Sequence, residues 1–216
     1  MIRCVVAALG IMLSSALAHA ECPGGNDPTA SEVPCGITLV GTTGGIADPR
    51  GQFRIVVRDL ANNPVPNCEV MIDFGACKPD IRIATHQPHQ GLRVECDANG
   101  ARVFATTDAN GTIVARIVGA ASAGPGGPAA AGFKCATLYA GRAILGSINV
   151  AAFDLNGGGG SNPADVSLFL QDFFEGGYKG RSDYDCSNAI TPADLSLLLQ
   201  AGFGAGSLQS GGSYCF

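Results

Sequence analysis

The sequence predicts a mainly β chain that ends in a small helical module, and three observations carry that reading. Apolar side chains recur at every second position through much of residues 36–153, as they do in half-buried strands. Turn signals rich in Asn, Gly and Pro separate those runs. Residues 154–205 then repeat one loop–helix pattern twice. Of the 216 residues, 46% are hydrophobic, which is enough to bury a core. Charged residues make up 14%, against about 25% in an average soluble domain. The formal net charge of -5 argues against a phosphate-backbone binder, which needs a basic stripe.

At the N-terminus, Arg3, the apolar run Val5–Leu17 and the small-residue site Ala18-His19-Ala20 read as a signal peptide over residues 1–20. The run is too short to span a bilayer, and no second run of that length follows. The expectation is an exported, secreted chain without a membrane span. Eight cysteines follow the leader: Cys22, Cys35, Cys68, Cys77, Cys96, Cys135, Cys186 and Cys215. An even count in an exported chain predicts up to four disulfides, whose connectivity the sequence leaves open. Proximity favours Cys22–Cys35, closing an N-terminal segment over residues 21–35, and Cys186–Cys215, tying down the tail. Cys68–Cys135 and Cys77–Cys96 complete that set. Structural zinc fits poorly, because no C-x-x-C pair exists after the leader.

Within residues 36–153, Phe53, Ile55 and Val57 share one face of a strand, with Arg54 and Arg58 on the other. Val70, Ile72 and Phe74 repeat the alternation, as do Ile113, Ala115 and Ile117. Turns are expected at Asn62–Pro66, Asp97–Gly100 and Asp108–Gly111. Seven or more short strands at this spacing predict a β-sandwich. Gly119–Gly132 has little side-chain bulk and reads as a long loop.

The order Val56-Val-Arg-Asp-Leu-Ala-Asn-Asn-Pro-Val-Pro66, Val70-Met-Ile-Asp73 and Thr107-Asp-Ala-Asn-Gly111 resembles invasin-like bacterial immunoglobulin domains. That resemblance implies an immunoglobulin-like β-sandwich used as a spacer or adhesive module, with no catalytic residues to transfer. The residues themselves agree. His86 and His89 form an H-x-x-H with no further ligand adjacent, so they read as a surface loop. There is no G-x-S-x-G, and the run Gly157–Gly160 lacks the Lys-Ser/Thr of a phosphate loop. The expectation is a protein that is not an enzyme.

The duplication is the most informative feature. Asp154-Leu-Asn-Gly-Gly-Gly-Gly-Ser-Asn-Pro-Ala-Asp165 precedes Val-Ser-Leu-Phe-Leu-Gln, and Asp183-Tyr-Asp-Cys-Ser-Asn-Ala-Ile-Thr-Pro-Ala-Asp194 precedes Leu-Ser-Leu-Leu-Leu-Gln. The two copies align without a gap at an offset of 29 residues. Asn162 and Thr191 suit helix N-caps, and Pro163 and Pro192 suit the first helical position. Val166, Phe169, Leu170 and Phe173 form one apolar stripe, and Leu195, Leu198 and Leu199 another.

Oxygen donors fall at positions 1, 3, 9 and 12 of each loop, the spacing of an EF-hand-type calcium site. In loop one these are Asp154, Asn156, Asn162 and Asp165, with the Gly160 carbonyl at position 7. In loop two they are Asp183, Asp185, Thr191 and Asp194, joined by Ser187 and the Ala189 carbonyl. Helix capping alone explains position 12, but not the oxygens at positions 1 and 3. Up to two calcium ions are therefore expected. The second loop, with three carboxylates against two, should bind more tightly.

The tandem units, with Asp at position 12 and a C-terminal place over residues 154–216, resemble a dockerin domain. The resemblance implies a fold built around calcium that plugs into a cohesin-like partner or surface scaffold, with contacts near Pro163-Ala164 and Pro192-Ala193. Gly158 at position 5, Ser161 at position 8 and Asn188 at the sharp turn depart from the family pattern. Two functions remain: an immunoglobulin-like module attached through a dockerin-like domain, or a structural subunit of an extracellular assembly with no cohesin. No motif supports a carbohydrate ligand. The charge is uneven: residues 154–216 carry seven acidic and two basic side chains, a net -5, whereas residues 21–153 sum to -1.

Overall fold

The computed structural model describes residues 22, 25–78, 80–122, 132–202 and 213–215. The expected leader, residues 1–20, lies outside them. The fold is mainly β. Its strands are β1 (Gly36–Leu39), β2 (Thr42–Thr43), β3 (Ile46–Ala47), β4 (Phe53–Val56), β5 (Glu69–Asp73), β6 (Ile81–Ala84), β7 (Arg93–Asp97), β8 (Gly100–Thr106), β9 (Thr112–Ala115), β10 (Gly119–Ala121), β11 (Ala136–Ala140), β12 (Ala143–Ala152) and β13 (Tyr214–Cys215). The helices are α1 (Pro163–Phe174) and α2 (Pro192–Gly202).

A six-stranded sheet runs β1-β12-β11-β5-β8-β7, a three-stranded one β10-β6-β13, and β2–β3 and β4–β9 form separate pairs. Only β1 pairs in parallel among the named strands, placing Gly36 opposite Asn149 of β12. The alternation seen in the sequence faces one shared core: Phe53, Ile55, Val57, Val70, Ile72, Phe74, Ile113, Ala115 and Ile117 are all buried in it. Each of these side chains except Ala115 contributes about 1.5–3 kcal/mol on leaving water.

The turn motifs have local causes. Asp108 Oδ1 accepts from the backbone of Asn110 at 2.8 Å and Thr112 at 2.9 Å. Gly111 closes that turn at φ 67°, and a Cβ there would meet the Val57 carbonyl at 2.6 Å. Asp59 Oδ1 likewise accepts from Ala61 at 2.9 Å and Asn63 at 2.8 Å. Just before the first turn, buried Thr107 joins two strands: its Oγ1 donates to Val65 O at 2.8 Å and accepts from Cys68 N at 2.9 Å. Thr107→Val keeps the shape but leaves both groups without that partner, so a loss of about 1–3 kcal/mol is expected by urea denaturation. Thr107→Ser should lose far less, since it keeps the hydroxyl.

Three expectations are corrected. Gly119–Ala121 is not loop but strand β10, paired with β6 and wholly buried. A Cβ on Gly119 would approach Arg82 O to 2.5 Å, so small side chains are what this close approach requires rather than a sign of exposure. The remainder of that predicted loop, residues 123–131, lies outside the described residues.

None of the four favoured disulfides forms. The bonds are Cys22–Cys68, Cys35–Cys186, Cys77–Cys135 and Cys96–Cys215. Strand register explains one of them, because cysteines flanking paired strands meet. Cys77 follows β5 and Cys135 precedes its neighbour β11, so the two lie at the same end of the sheet. The N-terminal segment is therefore closed not on itself but onto β5 and the second loop. The tail is held by β13 pairing with β6. Among the described residues no helix is long and apolar enough to cross a membrane.

The helical units share the β core: Leu155, Leu168, Phe169, Leu198 and Ala201 belong to the same buried cluster as the strands. Phe169 and Leu198 face it as the apolar stripes predict, with Val166, Leu170, Phe173 and Leu195 partly buried beside them. Leu199, placed in a stripe by its spacing, is 41% exposed instead.

Candidate metal centre

The two loops turn left-handed at the same two positions. Positions 4 and 6 take left-handed backbone in each: Gly157 and Gly159 in loop one, Cys186 and Asn188 in loop two. Asn188 thus does the work of a glycine, as its short polar side chain permits.

The position 1 carboxylate gathers the loop interior. Asp154 Oδ1 accepts from Gly158 N at 3.1 Å and Oδ2 from Gly159 N at 3.2 Å. Asp183 accepts from Ser187 N and Asn188 N, each at 3.0 Å. Position 3 also accepts from the backbone of position 5: Asn156 from Gly158, and Asp185 from Ser187 at 2.9 Å. Position 12 closes the loop. Asp165 Oδ1 accepts from Leu155 N at 2.8 Å and Asn156 N at 3.1 Å, while Oδ2 takes Asn162 N at 2.7 Å. Asp194 repeats this with Tyr184 N at 2.8 Å, Asp185 N at 3.2 Å and Thr191 N at 2.8 Å.

The helix starts are capped as expected. Asn162 Oδ1 accepts from Ala164 N at 2.9 Å and Thr191 Oγ1 from Ala193 N at 3.2 Å. At position 7 the carbonyls accept from neighbouring predicted ligands: Gly160 O from Asn162 Nδ2 at 2.9 Å, and Ala189 O from Ser187 Oγ at 3.0 Å.

Loop two brings three carboxylates together. One oxygen each of Asp183, Asp185 and Asp194 lies within 4.8 Å of the others. Asp183 is 1% exposed and Asp194 0%, while Asp185 stands in solvent. Burial pushes the Asp183 carboxyl above its usual range, against the lowering effect of its hydrogen bonds from Tyr178 and Asn188. Asp185 goes the other way: desolvation, the largest single effect, is outweighed by its bonds from Ser187 and Asp183 taken together.

Among the described residues no Lys or Arg forms an ion pair with any of the three. Buried charges are normally paired or bound to a metal, so this donor set fits a hard divalent cation held by oxygens.

Loop one differs. It has two carboxylates, both buried, and burial again raises Asp165, with the charge of Asp154 adding to that rise. Asn156 takes the place of the third. A guanidinium also stands beside the loop, since a Cβ on Gly157 would meet Arg82 Nη1 at 3.2 Å. A nearby cation and one fewer carboxylate both make this loop a poorer fit for a cation than loop two.

Three features escaped the sequence reading. Tyr178 donates its hydroxyl to Asp183 Oδ2 at 2.5 Å and accepts from Asn149 Nδ2 at 2.9 Å. Burial, then the hydrogen bond to Asp183, drives its phenol far above its ordinary value, so it remains a donor throughout the physiological range. Next to it, Arg181 forms a buried two-bond pair with Asp172 of α1: Nε to Oδ2 and Nη2 to Oδ1, both at 2.8 Å. The Cys35–Cys186 bond enters loop two at position 4. The ion pair left no signal, since Asp172 lies in a helix that reads as polar at that position.

His86 and His89 join no cluster of potential ligands among the described residues. Gln87, one of the two residues between them, is buried and clamps the loop through Ala84 O at 2.8 Å and Val118 N at 2.7 Å. Comparison with protein-family models, with curated proteins and with solved structures finds no match for the chain.

Proposed function

We propose that the chain is a non-catalytic extracellular calcium-binding protein, in which an immunoglobulin-like β-sandwich is carried by a dockerin-like tandem loop–helix module. The observation that supports this best is the convergence of Asp183, Asp185 and Asp194, two of them buried, with no basic partner among the described residues. Calcium supplies the missing positive charge. Asp183, Asp185 and Asp194 would hold it with Ser187, Thr191 and the Ala189 carbonyl. The corresponding set in loop one is Asp154, Asn156, Asn162, Asp165 and the Gly160 carbonyl, with lower affinity. Four disulfides are compatible with an oxidising, extracellular setting. In the attachment reading, a cohesin-like protein or surface scaffold meets the duplicated helix starts Pro163-Ala164 and Pro192-Ala193, all of which are exposed.

A second reading, a structural subunit of an extracellular assembly, draws on a different observation. The module is bonded to the β core through Cys35–Cys186, Cys96–Cys215 and the β13–β6 pairing, so it acts as a brace as well as a plug.

Calcium titration with thermal melting tests the metal claim. At calcium a hundredfold above Kd, binding to the folded state alone adds about 2.7 kcal/mol. That corresponds to about 5–11 °C in Tm for a chain of this size. Asp185→Asn keeps the acceptor for Ser187 N but removes one charge. It should leave the chelated protein's Tm nearly unchanged and weaken calcium binding at least about tenfold. Equal melting in calcium and in chelator would overturn the reading. Affinity capture from the native surface separates the two functions: a distinct bound protein supports attachment, and self-association supports assembly.

A further inference from the structure

The hydrogen bonds reaching Asp183 from outside its loop run in one direction. Asn149 lies in β12 and is 5% exposed. Its Oδ1 accepts from Lys134 N at 2.9 Å, which fixes the amide orientation and turns Nδ2 toward Tyr178. Nδ2 donates to the Tyr178 hydroxyl at 2.9 Å. A phenol carries one proton, and since its oxygen already accepts from Asn149, that proton goes to Asp183 Oδ2. The Tyr178 ring stands edge-on to Phe133 with centroids 5.3 Å apart, which limits its rotation. Backbone, amide, phenol and carboxylate therefore form a chain with a single polarity, from the β-sheet to position 1 of loop two.

The other bonds to Asp183 come from Ser187 and Asn188, which move with the loop itself. Only the Tyr178–Asn149 arm refers the carboxylate to the sheet. A lysine or arginine there would also hold the carboxylate, but its charge would compete with a bound cation. A phenol donates without adding charge. We propose, resting on the calcium reading above, that Tyr178, oriented by Asn149, is the positioning residue of loop two. It holds the Asp183 carboxylate ready for the ion, so that calcium affinity is set partly by the β-sheet. Outer-sphere donors of this kind are worth about 10–100-fold in metal affinity.

The test uses the full chain, with calcium chloride titrated calorimetrically and melting of the chelated protein measured in parallel. Tyr178→Phe preserves the ring against Phe133 and deletes one oxygen. The expected result is calcium binding weaker by about 10–100-fold, with a much smaller change in the Tm of the chelated protein. Asn149→Ala should weaken binding in the same direction. In the Tyr178→Phe background it should change Kd no further, because the relay is already cut. Tyr178→Phe binding within about twofold of wild type would overturn the inference, as would strictly additive effects of the two substitutions. A wild-type protein that takes up no calcium overturns the calcium reading and this inference together. Tight wild-type binding with an unaffected Tyr178→Phe variant overturns the inference alone.

Discussion

Asp172→Ala is expected to cost about 3–5 kcal/mol of stability, because it removes the carboxylate paired with a buried guanidinium. Arg181 is 1% exposed, and its charge is matched by Asp172 through two bonds of 2.8 Å. Burial alone would lower the Arg181 pKa, but the bonds and charge of Asp172 outweigh it and hold it above its ordinary value. Ser182 Oγ adds a third bond to Asp172, at 2.7 Å. The pair joins α1 to the turn Gly180–Ser182, where the backbone runs against residues 132–133 so closely that a Cβ on Gly180 would meet Phe133 N at 2.5 Å. For a chain of this length the loss corresponds to about 6–20 °C in Tm. The double variant Asp172→Leu with Arg181→Met should recover most of it, since apolar replacements of a buried pair are often neutral or stabilising. A single variant that melts with wild type would show that the pair carries no such load.

Removing the Cys35–Cys186 bond is expected to cost about 2–5 kcal/mol. It spans 151 residues and joins the start of β1 to the interior of loop two. Two effects are separable at Cys186, which sits at φ 59°. Cys35→Ser with Cys186→Ser loses the crosslink and leaves a side chain in left-handed backbone. Cys35→Ser with Cys186→Gly loses the crosslink alone, and loop one already has glycine at the equivalent Gly157. The glycine variant should therefore be more stable than the serine variant by about 1–2 kcal/mol in guanidinium denaturation. Equal stability would mean that the loop relaxes once the bond is gone.

Much of the fold was legible because its signals are local. The alternation at Phe53, Ile55 and Val57 needs only the two-residue period of a strand. Asp108 and Gly111 specify their turn by bonds and dihedral angles within five residues. The convergence of the loop-two carboxylates was legible for the same reason, since the twelve-residue spacing itself brings Asp183, Asp185 and Asp194 to one point.

The misreadings share an opposite cause. Gly119–Ala121 lacks bulk, and only the approach of β6 shows that bulk is excluded there. Leu199 fits an apolar stripe by spacing, yet its exposure depends on where the β core ends.

The sequence by itself determined the mainly β middle, the two capped helices and the duplicated oxygen-rich loops, because each is specified by residues a few positions apart. Tertiary structure alone decided the disulfide partners, the Asp172–Arg181 pair and the Asn149–Tyr178–Asp183 relay. Those contacts join positions that become neighbours only through strand register and helix docking. Close in space but not in period, they leave no pattern that a linear reading can weigh.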